Sequence, residues 1–258
     1  LHQCTTSEID FLEGRSFLIK GSKTPYLSMV NRLNKMDMSA LNAFSELDKE
    51  IDLNQYTNYL ATEIYFANTD WPAKNIKYWK KKEGGKWRWI IFDTDFGLGL
   101  KGKHNHNTIQ YMYSGGVKGL NSAWSTKLFR VLMENPEFKS LFIQKLSVLM
   151  DTYLSAEELK ETVTSFTDEI KPEIERHAEN WEHFSSFESW QKNIKVVHDF
   201  VNKRELSLRT YLEQEYKISK TSKVIFKVNN PKAGKVKILG LDFDSEEQVL
   251  ELYNGLSV

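Results

Sequence analysis

Hydrophobic positions in this chain recur with two periods, and elements should begin or end where the period changes. Ile9, Phe11, Leu12, Phe17, Leu18 and Ile19 form short extended pieces interrupted by Gly14. Thr24-Pro25 predicts a helix start, an N-cap followed by proline at the first helical position, with Tyr26, Met29, Val30 and Leu33 at helical spacing. Ser39 predicts a second, short helix through Leu41 and Phe44. Asp52 with Gln55 three residues on resembles a capping box. It opens a helix with Leu53, Tyr56, Leu60 and Ile64 on one broad face, ending near Asn68.

Period two then takes over. Residues 76–81 and 86–92 read as the strands of a hairpin around Glu83-Gly84-Gly85-Lys86. The second strand turns wholly apolar toward Phe92, which predicts burial. Residues 98–120 show no period and are rich in glycine, histidine and asparagine, so they read as one long loop. From 121 to about 217 the pattern is helical again. Asn121 or Ser122 precedes Trp124, Leu128 and Val131, and Asn135-Pro136 caps a run through Phe138, Phe142, Leu146 and Leu149. Ser155 with Glu158 opens a third run, which Pro172 breaks, and Ser185 with Glu188 opens a last long helix from Trp190 to Leu208. Beyond Lys217, residues 223–228 and 235–239 alternate between turns at Asn229-Asn230-Pro231 and Gly234. The expected fold class is α+β and mostly helical. Its parts are a main domain over 1–218 and a β-rich C-terminal tail, or the start of a small module, over 219–258.

Composition narrows the function classes. In 258 residues, 40% apolar and 13% aromatic, a substantial core needs no staples. Lysine plus arginine and aspartate plus glutamate stand at 35 each, which argues against nucleic acid as a partner held by phosphate neutralisation. Lys80-Lys81-Lys82 is the solvated end of a strand. Cys4 is alone, so there is no intrachain disulfide framework and no cysteine-rich metal site. No apolar run is long enough for a transmembrane segment. The chain begins with leucine and shows no secretion signal, so a leader or an upstream segment is expected to be missing.

The candidate chemistry lies at the open end of the hairpin. Asp70 and Asn75 flank Trp71-Pro72-Ala73-Lys74 after the long helix. Protein kinases place a catalytic aspartate and a magnesium-binding asparagine at that interval, with one carboxylate to take the acceptor's hydroxyl proton and one amide oxygen to reach the metal. The histidine and arginine of the kinase motif are absent, Asn68 and Thr69 standing before Asp70, and plain turn chemistry would explain the pair alone. Asp93 and Asp95, in Asp-Thr-Asp-Phe-Gly, change the balance, because a hairpin brings its two open ends together. Oxygen donors of this kind suit Mg²⁺ or Mn²⁺. The competing reading is an acidic turn that ends a strand. Lys74 could reach a phosphate or be a surface lysine. His104 and His106 read as solvated loop residues, Trp71, Trp79, Trp87 and Trp89 as core and cross-strand packing, and His177, Trp181 and His183 as packing or capping around a helix end.

The runs "YFANTDWPAKNIKYW" and "KWRWIIFDTDFGLG" together resemble the central region of the CotH kinase family, named for a spore coat protein and found in secreted and cell-surface bacterial proteins. The likeness extends through "LFRVLMENPEFKSLFI" and "KPEIERHAENW", over roughly residues 5 to 215. It implies the large lobe of an atypical protein kinase and phosphate transfer from ATP, with Mg or Mn, to a protein substrate. Carried over, Asp70 is catalytic, Asn75 a metal ligand, and Asp93 or Asp95 the metal-binding aspartate, Asp93 preferred with Asp95 assisting. A glycine-rich phosphate loop and a small-lobe lysine are not found: Gly14, Gly21 and Lys20 do not make one. A small lobe largely missing is therefore expected. The rival expectations are a non-catalytic surface scaffold and a metal-dependent hydrolase.

Overall fold

The structure, a computed structural model, describes residues 4–117, 120–181, 186–218, 220–230, 234–243 and 246–257. A four-stranded antiparallel sheet has the order β2-β1-β3-β4, built from Ile9–Glu13 (β1), Phe17–Lys20 (β2), Lys77–Lys81 (β3) and Arg88–Ile90 (β4). The first two strands thus pair with a hairpin some sixty residues downstream, Phe11 opposite Trp79 and Leu12 opposite Tyr78. Leu12, Tyr78 and Trp89 turn to the core, where Trp89 meets Tyr56 at 4.3 Å and Tyr78 meets Tyr26 at 4.2 Å between ring centroids.

Three helices separate the two halves of that sheet: Thr24–Leu33 (α1), Ala43–Glu50 (α2) and Leu53–Phe66 (α3). The first begins one residue earlier than expected, with Lys23 at the N-cap position and Thr24 already helical. The second begins at Asn42 rather than Ser39. Ser39 is consumed by a turn in which its amide and hydroxyl both donate to Asp37, and Leu41 is fully exposed. Asp52 caps α3 by accepting from the amide of Gln55 at 3.0 Å. The reciprocal half of the capping box is absent because the Gln55 side chain is used elsewhere, clasping the Trp89 backbone through its oxygen (2.9 Å) and nitrogen (2.6 Å).

The stretch 98–120 is not all loop: Thr108–Ser114 forms α4, capped by Asn107, whose side chain accepts from the Gln110 amide at 3.0 Å. Glycine counts hid a helix only two turns long. Then follow Ala123–Leu132 (α5), Pro136–Asp151 (α6), Ala156–Ile170 (α7), Ile174–Asn180 (α8) and Phe187–Tyr216 (α9). Pro172 sits in the single 3₁₀ turn that separates α7 from α8. Ser185, like His183, lies outside the described residues; the cap of α9 is Ser186, which accepts from the Ser189 amide. Helix α6 is buried on every side and forms the axis of the core.

The C-terminal strands pack on that axis. Thr221–Lys227 (β5) pairs antiparallel with Glu247–Tyr253 (β8), and Val236–Ile238 (β6) with Leu241–Phe243 (β7). Side chains of α6 stand in for a strand along β8. Gln144 accepts from Tyr253 N (2.8 Å) and donates to Tyr253 O (3.0 Å), Ser147 donates to Glu251 O, and Asp151 accepts from Glu251 N. This answers the backbone groups that an edge strand would otherwise leave open.

Candidate functional site

Helix α3 templates the loop that follows it. It ends at Ala67, whose left-handed φ of +53° turns the chain away from the helix axis. Two side chains one turn apart on its inner face then hold the next residues. Tyr59 accepts from the indole nitrogen of Trp71 at 2.6 Å, and Glu63 accepts from the amide of Asn68 at 3.0 Å. The Asn68 side-chain oxygen in turn accepts from the main-chain N–H of Asp70 at 3.2 Å. Asp70 is thus clamped between anchors on either side, Asn68 and Trp71, both buried. Its carboxylate remains at the surface, 3.0 Å from Lys74 Nζ.

The second half of the site comes off β4. The expectation that this strand is buried to its end does not hold: Trp87 and Trp89 are buried, but pairing stops at Ile90 and Ile91 is 42% exposed. The chain therefore reaches Asp93 and Asp95 at the surface, where a charged group keeps its water. Asn75 and Asp93 both adopt left-handed φ, +52° and +54°, which asparagine and aspartate tolerate better than other residues with a side chain. The Asn75 side-chain nitrogen donates to the Asp93 carbonyl at 3.2 Å, joining the two loops. The Asp93 carboxyl is raised above the usual carboxylate range by a hydrogen bond with Asp95, then by desolvation and by the charges of Asp95 and Asp70, with Lys77 opposing. Asn75, Asp93 and Asp95 are accordingly linked, and Asp70 lies near enough for its charge to act on Asp93.

The donor set suits a hard divalent cation without forming a closed cage. Among the described residues no three histidine, cysteine, aspartate or glutamate side chains are gathered as a metal-binding group. Asp70 is drawn to Lys74, while the neighbouring acids disfavour the Asp93 anion, a repulsion that a cation would relieve. Magnesium sites on nucleotides fit that arrangement, since one or two carboxylates suffice when phosphate oxygens and water complete the shell.

The profile of the CotH kinase protein family matches residues 15–208. The chain belongs to that family. The match lies inside the span over which the resemblance was expected and covers both loops. Comparison with curated proteins gives no match.

What holds this CotH-family site in place includes residues the sequence did not point to. The segment after Asp95 folds back on the end of α3: Leu98 N donates to Phe66 O at 2.8 Å, and a Cβ on Gly102 would stand 2.0 Å from Ala67 O. Arg204 of α9 closes the clasp. It is fully buried and donates to Ile64 O, Tyr65 O, His104 O, His106 O and the Thr108 hydroxyl, at 2.6 to 2.9 Å. Burial lowers its pKa to about 10. His104 meets Ser207 at 3.2 Å, and His106 is half-buried against Tyr111 rather than solvated. Burial lowers the His106 pKa, with Arg204 adding to it. Trp71, Trp87 and Trp89 are core. Trp79 lies on the opposite, open face of the sheet beside Ile9, Phe11 and Ile90. His177 and Trp181 meet ring to ring, tilted, at the end of α8, but both are exposed, so they are surface neighbours rather than core packing. No helix among the described residues is long and apolar enough to cross a membrane.

Proposed function

We propose that this chain transfers the γ-phosphoryl group of ATP to a hydroxyl of a protein acceptor, dependent on Mg²⁺ or Mn²⁺. The observation that carries the reading is the bond from Asn75 to the Asp93 carbonyl, which ties the Asp70–Asn75 loop to the Asp93–Asp95 turn. Family membership supports it. Asp70 accepts the proton of the attacking hydroxyl. The hydroxyl oxygen bonds to the γ-phosphorus as the bond to the β–γ bridging oxygen breaks, and ADP leaves with that electron pair. Asn75, Asp93 and Asp95 would hold the cation, which supplies charge neutralisation at the phosphates. Asp93 would be the primary ligand, because it is the one whose carboxyl the neighbouring acids disfavour as an anion. Lys74, paired with Asp70 in the resting site, turns to a phosphate oxygen when nucleotide is present.

The catalytic unit in this reading is residues 1–218, with the 219–258 tail buttressing it through β8 on α6. A Cβ on Gly21 would collide with the Asp10 side chain, so that glycine serves strand packing. A secreted or cell-surface bacterial location, akin to the spore coat, follows the family. Transfer of radiolabel from ATP to protein, abolished by Asp70→Ala and by EDTA, tests the proposal. The scaffold reading would be favoured by intact folding with neither nucleotide binding nor transfer, and a hydrolase by phosphate release without a labelled acceptor.

A further inference from the structure

A groove of about 210 Å³ runs between α1 and α5. Its floor and walls are apolar, from Tyr26, Val30 and Leu33 on one side and Trp124, Leu128 and Val131 on the other. These α5 residues are the face that helical spacing marks as core, yet the side chains buried in the core are Thr126, Phe129 and Leu132. Trp124, Leu128 and Val131 pack against the edge of the core and stay partly exposed toward the groove. Two cations, Arg15 and Lys127, stand at the rim, both exposed and neither ion-paired among the described residues.

The β1–β2 turn that carries Arg15 and the start of the α5 wall are both fastened to the loop that carries Asp70 and Asn75 or to the residue after it. On the β1–β2 side, Gly14 N donates to Ile76 O at 2.8 Å and Tyr78 OH donates to Gly14 O at 3.2 Å. That places Arg15 one residue from a bond to the chain immediately after Asn75. On the other side, Ala73 N, within the Asp70–Asn75 loop, donates to Leu120 O at 3.0 Å, and α5 starts three residues later. The groove is therefore tied from two sides to the loop that carries Asp70.

We infer that this groove docks an extended segment of the acceptor protein that carries a large apolar side chain next to acidic residues. The volume accommodates one bulky side chain, and the two unpaired cations select carboxylates flanking it while rejecting lysine-rich segments. The word acceptor rests on the phosphoryl-transfer reading; the groove and its preference do not.

The test uses the whole chain and a displayed library of random dodecapeptides, selected on the wild type and re-probed on Arg15→Glu/Lys127→Glu and, separately, on Leu128→Arg. Both rim residues are exposed, so the charge-reversed protein should melt as the wild type does, which keeps the test valid if Leu128→Arg folds poorly. Selected peptides should combine Leu, Phe, Trp or Met with neighbouring Asp or Glu, and bind the charge-reversed protein at least ten-fold more weakly. Failure to enrich any peptide, enrichment of basic peptides, or equal binding to the variants overturns the inference. A selected peptide extended by a serine should be phosphorylated with KM raised and kcat unchanged in the charge-reversed protein. Groove-dependent binding with no Asp70-dependent transfer would sink the transfer reading alone. Transfer with an unaltered KM would sink the groove alone.

Discussion

Asn75 and Asp93 are joined across the open end of the hairpin, side-chain amide to main-chain carbonyl at 3.2 Å, and both are held at left-handed φ. The bond fixes the spacing between the residue proposed to bind the cation from one loop and the residue proposed to bind it from the other. Replacing Asn75 by alanine removes the bond and puts a β-carbon residue without a compensating side chain into the left-handed region. A loss of about 1–2 kcal/mol is expected from these two effects. Asn75→Gly relieves the backbone part and should recover about half of it. Transfer from ATP should be lost in both, because neither supplies the amide oxygen. Urea denaturation beside a transfer assay separates the two effects, and activity restored by glycine would show that Asn75 serves the backbone only.

Lys74 is a different kind of neighbour. Its side chain is 59% exposed and that of its partner Asp70 19%, so water screens the pair from the lysine side. Lys74→Ala should change stability by less than about 1 kcal/mol. If the ammonium moves to a phosphate oxygen, KM for ATP should rise several-fold at an unchanged melting temperature. An unchanged KM would leave Lys74 as a partner of Asp70 alone.

These residues were legible because their signals are local. Five or fewer positions separate Asp52 from Gln55, Asn135 from Phe138 and Ser155 from Glu158, and each pair caps its helix by a side-chain-to-amide bond. The interval from Asp70 to Asn75 and the Asp-Thr-Asp run are of the same short range. What could not be read depends on distant partners. Gln55 looks like a cap but spends its side chain on Trp89, and Ile91 looks like core but lies past the last paired residue. Trp124, Leu128 and Val131 have a core stripe's spacing, yet stay only partly buried, packed on the edge of the core where they also line a groove. Glu63 sits on the buried side of an amphipathic helix, and only the position of Asn68 explains it.

Arg204 is the most consequential of these unread residues. Its guanidinium has no carboxylate partner in its bonding set; it satisfies four main-chain carbonyls and one hydroxyl, two of those carbonyls at the end of α3. Lysine cannot reproduce the planar fork. Arg204→Lys should cost about 2–4 kcal/mol, since several buried carbonyls lose their donor and the penalties do not add fully. Hydrogen exchange at Leu98 and Gly102, whose amides bond to Phe66 O and Phe96 O, should accelerate more than in α6. A variant within 1 kcal/mol of wild type, or uniform acceleration, would refute the idea that Arg204 specifically clasps the loop after Asp95 to the base of the Asp70 loop.

Glu63 makes the stability of this clamp depend on pH. Its carboxyl is buried with Oε2 on Asn68 and no partner for Oε1, and burial is the main reason its pKa rises from 4.5 to about 8. Between those two values the folded chain holds a proton that the unfolded chain releases. Stability attributable to Glu63 is therefore complete below about 4.5 and declines as pH rises toward 8, with a limiting slope of about 1.4 kcal/mol per pH unit. Glu63→Gln keeps an acceptor for Asn68 and cannot ionise, so its melting temperature should fall less than wild type's across that window. The two curves should run parallel above it. The link to Asp70 adds a kinetic signature: burial disfavours the ionised carboxylate and draws it toward water, away from Asn68, which positions the Asp70 amide, so wild-type kcat should drop above about pH 8 while the glutamine variant holds. Parallel melting curves from pH 4.5 to 8 would mean that the carboxyl reaches water, and that Asn68 alone fixes Asp70.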